Sequence, residues 1–123
     1  MYVEPKRRCA MIEALRQEGA RGPWLALLNE LATLSGPGMQ LLRHAERTWT
    51  STTFAGARHT FELAFVGAEA VAGGERLIAA LPDHEFTLAG RIVADATVVA
   101  AEHSLVDGPR LTIEAELLVL DDG

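Results

Sequence analysis

The side chains best suited to bind a metal ion or to act as a base are four histidines, and their spacing predicts no site. His44, His59, His84 and His103 lie at least 15 residues apart, and none forms a His-x-x-x-His pair. Metal sites usually bring their ligands together at short, regular spacing or by convergence in the fold. A sheet could place His59 and His103 on neighbouring strands. We predict that the chain has no metal site, and this pair is the arrangement to check.

The sequence also shows no group of residues suited to nucleophilic catalysis or to phosphate binding. Nucleophilic catalysis needs a Ser or Cys beside a base that a third group orients. His103, Ser104 and Asp107 have the right types, but neighbours in a hairpin rarely have that geometry. Cys9 is the single cysteine, so no internal disulfide can form, and no partner base identifies it as a nucleophile. Gly36-Pro37-Gly38 lacks the lysine of a phosphate-binding loop. We predict no catalytic residue and no cofactor.

Glu114 and Glu116 are the best-spaced pair of carboxylates. On a strand they lie on one face about 7 Å apart, given the rise per residue. Glutamates that alternate along a strand usually form its solvated side. The pair therefore indicates a charged surface more than acid–base chemistry.

The charge is unevenly distributed along the chain. The net charge is −6, which argues against a general nucleic-acid binder. The residues through Arg58 carry a balance of +3 (eight Lys/Arg, five Asp/Glu), whereas those from His59 onward carry −9 (three and twelve). Lys6-Arg7-Arg8 is a basic cluster without interleaved aromatic residues. These charges either lie on ordinary solvated faces or give the subunit one basic surface and one acidic surface.

The elements that carry these residues predict a single α+β domain over residues 1–123. Phe61, Leu63 and Phe65 alternate with polar or small residues, as do the apolar residues of 110–120, which is typical of half-buried strands. Helical spacing marks residues 1–38 as a helical region, and residues 39–123 form a sheet with one helix. The predicted spans are helices at about 5–15, 23–34 and 68–81, strands at 59–66, 86–101 and 110–120, and an exposed loop at 50–57. Residues 39–49 have helix-favouring types without a clean period of either kind, and only the resemblance to a known family described below assigns them to a strand. The order α-α-β-β-α-β-β with short hairpins predicts a four-stranded antiparallel sheet with helices packed on one face. No apolar run is long enough to span a bilayer.

Residues from about 39 to 120 resemble a known family. Thr48-Trp49-Thr50-Ser51-Thr52, followed by Gly56-Ala57-Arg58-His59-Thr60-Phe61-Glu62-Leu63, is similar to a D-W-S-T-K-T … G-x-x-H-T-L-x-L pattern of small tail-completion proteins in long-tailed phages and gene transfer agents. A helix ending at Leu81-Pro82, the segment Leu88-Ala89-Gly90-Arg91-Ile92-Val93 and a long hairpin follow in the same order. Thr48 replaces the family's acidic residue, and the lysine of the loop is absent.

The resemblance implies a tail terminator. Such proteins form a ring, typically six-fold, that caps the tail tube and docks the head connector or stopper. The implied partners are copies of the chain itself (free as a monomer or assembled as a ring), the tail-tube protein and the connector. DNA would pass through without specific binding, and no membrane is involved. The implied location is the bacterial cytoplasm during assembly and then the virion tail.

Specific residues follow from this hypothesis. Glu114 and Glu116 are the candidates for an acidic channel wall that repels DNA phosphates. The segment around residues 50–58 is the candidate arm that contacts the ring or the tail. Its members are Trp49, Thr50, Ser51, Thr52, Thr53, Phe54 and Arg58. The alternative is a small-ligand-binding or chaperone-like α+β dimer, which would have a pocket between its helices and its sheet. An enzyme would require a convergent polar cluster that the sequence does not indicate.

Overall fold

The computed structural model describes residues 23–121, which form two helices and four strands. The helix predicted near residues 5–15, Cys9 and the basic cluster Lys6-Arg7-Arg8 lie outside the described residues. The elements are α1 (Trp24–Ser35), β1 (Gln40–Thr50), β2 (Ala55–Val66), α2 (Ala68–Ala80), a 3-10 turn (Leu81–Asp83), β3 (Arg91–Ser104) and β4 (Arg110–Asp121).

The strands form one antiparallel sheet in the order β1-β2-β4-β3. β1 with β2 and β3 with β4 are hairpins, and pairing between β2 and β4 joins them. β1 and β3 are consequently the edges of the sheet. The predicted fold class, α+β with a four-stranded antiparallel sheet and helices on one face, is confirmed, and so is the strand at 39–49.

The core lies between the helices and one face of the sheet. Phe61, Leu63 and Phe65 of β2 are fully buried, and so is every second residue of β4 from Leu111 to Leu117. Leu27, Leu28 and Leu31 of α1 and Leu77 of α2 close the core from the helical side. Burying each such side chain contributes about 1.5–3 kcal/mol relative to exposure.

The predicted loop at 50–57 is wrong in its extent. β1 continues to Thr50 and β2 begins at Ala55, so only residues 51–54 connect the strands. Gly56 pairs with Trp49 on one side and with Leu120 on the other. Leu120 is distant in sequence, so a Thr/Ala/Gly stretch without alternation forms a strand because of a partner that no local pattern reveals.

The predicted strand at 86–101 also has different bounds. β3 begins at Arg91 and continues to Ser104, while residues 84–90 form no strand. Phe86 and Leu88 instead pack against the core. Glu30 of α1 fixes this segment: its Oε1 lies 2.8 Å from His84 Nε2, and its Oε2 accepts the Thr87 N–H at 3.1 Å. Contacts with α1 therefore replace strand pairing here.

Gly73 and Gly74 let α2 lie close to both α1 and the sheet. A Cβ on Gly73 would overlap the carbonyl oxygen of Ser35 at the end of α1. A Cβ on Gly74 would lie 2.7 Å from Leu111 Cδ2 and 2.8 Å from Phe65 Cδ1. A helical glycine costs about 1 kcal/mol relative to alanine, and close packing explains why this helix contains two.

Candidate functional site

The seven residues predicted as a contact arm do not form one loop. Ser51, Thr52, Thr53 and Phe54 make the turn between β1 and β2, where Ser51 Oγ accepts the N–H groups of Thr53 and Phe54. Trp49 and Thr50 end β1, and Arg58 lies within β2. Phe54 is half exposed at the tip of the turn. The exposed part of the predicted arm is therefore this short turn together with Thr50 at the end of β1.

Arg58 and Glu116, which were assigned to different surfaces, contact each other. Arg58 Nη1 donates to Glu116 Oε1 at 3.0 Å on the sheet face opposite the helices, called here the open face. Glu114 lies on the same face, directly across from Glu62. Arg58 offsets the charge of Glu116, and no such cation faces Glu114 among the ion pairs of the described residues.

The open face changes sign from one edge of the sheet to the other. Cross-strand partners share a face, so Arg43 (opposite Glu62) and Arg47 (opposite Arg58) project from β1 on this side. Asp95 and Glu102 project from β3 by the same register. All four edge residues are exposed. We call Arg43 with Arg47 the basic edge, and Asp95 with Glu102 the acidic edge.

The tip of the β3–β4 hairpin is an apolar surface that sequence reasoning missed. Leu105 and Val106 are 81% and 78% exposed, more than any other large apolar side chain in the described part of the chain. Asp107 (φ 59°) and Gly108 (φ 98°) turn the chain behind them. The Asp-Gly pair predicted the turn, but only the structure shows that the preceding apolar residues point away from the core.

The histidine pair proposed from sequence does not form, and a different one does. β4 separates β2 from β3, so His59 and His103 are not on neighbouring strands, and His103 is exposed. Instead, β1 and β2 place His44 Nε2 2.9 Å from His59 Nδ1. Trp24, the first residue of α1, stacks on the His44 ring at a centroid distance of 4.5 Å and an angle of 10°.

His59 is buried, and one of its ring nitrogens lacks a hydrogen-bond partner within residues 23–121. Its side chain is fully enclosed, and its Nε2 has no hydrogen-bond partner among the described residues. Burial, with a smaller contribution from the Arg91 guanidinium, lowers the pKa of His59 from 6.5 to about 4. The ring is therefore neutral near pH 7.

Glu46 completes a group of metal-ligand types at this end of the sheet. It lies directly across from His59, and His44 lies two residues earlier on the same strand face. The three ligand atoms all lie within 4.8 Å of one another. Glu46 and His59 also line a polar cavity of about 200 Å³ that includes Arg91 and Asp121. The sequence prediction missed this group because it depends on the strand register.

A larger cavity lies between the end of α2 and β3. Its volume is about 550 Å³, and its wall is partly apolar. The lining comes from α2 and the 3-10 turn (Ile78, Leu81, Pro82), from His84, and from residues 93–98 of β3.

No protein-family model matches the chain, and no curated protein sequence matches it. None of the helices in residues 23–121 is long and apolar enough to cross a membrane. A solved structure is similar to this one: a chain in "Virion of native gene transfer agent (GTA) particle", with a TM-score of 0.55 and 19% sequence identity. The similarity covers 73% of this chain and 84% of that chain. At this identity the comparison shows a shared fold.

Proposed function

We propose that this chain is a structural subunit of a phage-like particle, specifically a tail terminator that forms a ring on the tail tube. The sequence resemblance and the fold shared with a chain of a gene transfer agent virion support the proposal. The observation that carries it is the opposite charge of the two sheet edges. The role is structural, with no catalytic residue assigned.

Edges of opposite charge suit a ring because a cyclic assembly joins two different patches of neighbouring subunits. The basic edge of one copy would meet the acidic edge of the next, and the contact repeats until the ring closes. Among residues 23–121, no strand pairs with the outer sides of β1 and β3, so their backbone groups there are open to a neighbouring strand. Six copies are the closure that the family resemblance implies.

The remaining surfaces fit the other contacts of a tail terminator. The β1–β2 turn with Phe54 and the β3–β4 tip with Leu105 and Val106 lie at opposite ends of the sheet. In a ring, one end would contact the tail-tube protein and the other the head connector. Glu114 is the stronger candidate for a channel wall that repels passing DNA, because Glu116 is already paired with Arg58.

The edge contact is tested by charge reversal and solution mass. Light scattering after size exclusion, over a wide concentration range, should show the wild-type chain moving toward a hexamer as concentration rises. Arg43→Glu with Arg47→Glu should reduce that association, and Asp95→Arg with Glu102→Arg should reduce it equally. The protein carrying all four changes should recover it, because its edges are complementary again.

The matched control is Glu75→Arg, an exposed charge reversal on α2. It should assemble like wild type, with or without added tail-tube protein. Association that survives both edge reversals, or that fails to return in the four-fold variant, would rule out this interface.

Two further experiments address the channel and the arm. Replacing Glu114 and Glu116 with lysine should leave the ring mass unchanged but impair DNA passage in assembled particles. Shortening residues 51–54 should impair tube capping; unchanged capping would show that this turn is not the contacting arm.

A ligand-binding dimer is the second candidate, and the cavity of about 550 Å³ favours it. A dimer that persists on dilution, with a ligand that protects residues lining this cavity from exchange, would support it over the ring.

A further inference from the structure

The β1–β2 hairpin holds three metal-ligand side chains at one corner of the sheet. The imidazoles of His44 and His59 and the carboxylate of Glu46 come from adjacent strands, and their ligand atoms lie within 4.8 Å of one another. The register explains the grouping, because Glu46 pairs directly with His59, and His44 lies two residues before Glu46. Two imidazoles and a carboxylate form a donor set that suits Zn²⁺ and the neighbouring divalent transition metals.

Packing holds the two histidine rings in place before any ion binds, whereas Glu46 is exposed. Trp24 stacks on His44, and the His44 ring also lies 4.9 Å from the Phe61 ring. His59 is fully buried in the sheet–helix core. Ligands that are already ordered lose little conformational freedom on binding, which favours affinity.

His59 has unused binding capacity. Its Nδ1 lies against His44 Nε2, whereas its Nε2 is buried without a partner among the described residues. A buried polar atom that lacks a partner is uncommon and calls for an explanation. A cation held by His59 Nε2 would give this atom the partner that it lacks in the described part of the chain.

The electrostatic surroundings include one opposing charge. Arg91 lines the same polar cavity and disfavours a cation, but its Nε lies 3.4 Å from Asp121 Oδ1. Glu46 adds a negative charge at the site. The cavity of about 200 Å³ that Glu46 and His59 line is the space where water would complete the coordination, as in zinc sites with three protein ligands.

We propose that His44, Glu46 and His59 bind a divalent transition-metal ion, with Zn²⁺ as the representative ion and water in the remaining position. The ion would join edge strand β1 to β2 at the end where α1 begins. This inference does not depend on ring assembly or on the particle to which the chain belongs.

The test uses the untagged full-length chain after chelator treatment and dialysis. Titration calorimetry with Zn²⁺ near neutral pH should show binding of one ion per chain. Co²⁺ should give visible absorption bands, and added Zn²⁺ should raise the melting temperature until a chelator reverses the effect. His44→Gln and Glu46→Gln should each weaken binding by about tenfold or more. His103→Gln, at an exposed histidine outside the site, should bind like wild type.

Glu46→Gln is the decisive variant because Glu46 is exposed and its replacement should leave the fold intact. Circular dichroism without metal should be identical for this variant and wild type. No calorimetric signal and no Co²⁺ band for wild type would overturn the proposal. Binding that is unchanged in both His44→Gln and Glu46→Gln would overturn it equally, because the ion would then lie elsewhere.

Discussion

Gly73→Ala should destabilise the protein, although alanine is the better helix former. If only helix propensity mattered, the substitution would stabilise α2 by about 1 kcal/mol. The added Cβ would overlap the Ser35 carbonyl oxygen, which belongs to the backbone and cannot rotate away. Separating α1 from α2 by the required distance is an overpacking cost, typically about 1–3 kcal/mol.

The same methyl group would disturb a hydrogen bond. Arg76 Nη2 donates to the Ser35 carbonyl oxygen at 3.1 Å and would lie 3.3 Å from the new Cβ. Weakening that bond adds a cost on the order of 1 kcal/mol. The net expectation for Gly73→Ala is a decrease in the free energy of unfolding of about 1–3 kcal/mol.

Urea denaturation followed by circular dichroism measures this change, and Ala72→Gly is the matched control. Ala72 precedes Gly73 and is exposed, so its replacement should cost only the propensity difference of about 1 kcal/mol. In an Arg76→Ala background, Gly73→Ala should cost less, because the hydrogen bond is already absent. A Gly73→Ala protein as stable as wild type, or more stable, would refute the close helix contact.

Three further predictions concern polar groups. The free energy of unfolding should decrease by up to roughly 3 kcal/mol as the pH falls from about 6.5 to 4. The pKa of His59 is about 4 in the folded protein and 6.5 in the unfolded one, so in this range the unfolded chain binds a proton that the folded chain does not. Urea denaturation with chelator present should show this slope in wild type and not in His59→Asn; parallel slopes would exclude this histidine as the source. Glu30→Gln should cost about 1–2 kcal/mol by weakening its contact with His84, and a thermal shift near zero would contradict this. Glu116→Gln should cost less than about 1 kcal/mol, since its pair with Arg58 is partly exposed; a larger loss that salt leaves unchanged would contradict this.

The elements with strong periodicity were predictable from sequence. Phe61, Leu63 and Phe65 alternate cleanly, and the structure buries all three. β1 has no such pattern and was predicted only through the family resemblance. The error at the start of β2 arises because Gly56 pairs with Leu120 of β4. The error at the start of β3 arises because Glu30 binds the Thr87 N–H in the segment before Arg91. Local propensity cannot represent such distant partners.

The candidate sites were also predictable only where a local sequence pattern determines where their residues lie. The strand period put Glu114 and Glu116 on one face, but it could not show that Arg58 reaches Glu116. The proximity of His44 to His59 depends on the register between β1 and β2. The sheet order, which no local pattern encodes, determines that β4 separates His59 from His103.

The sheet order β1-β2-β4-β3 also has a consequence for how the chain folds. Each hairpin joins strands that are adjacent in sequence, so each can form locally. The central pairing joins residues 44 to 64 positions apart, from Val66–Arg110 to Gly56–Leu120. Closing that loop costs chain entropy before any core contact offsets it. We therefore expect docking of the two preformed hairpins, with α2 between them, to limit the folding rate. Mutations at the β2–β4 seam should slow refolding, whereas those on β1 and β3 should mainly accelerate unfolding.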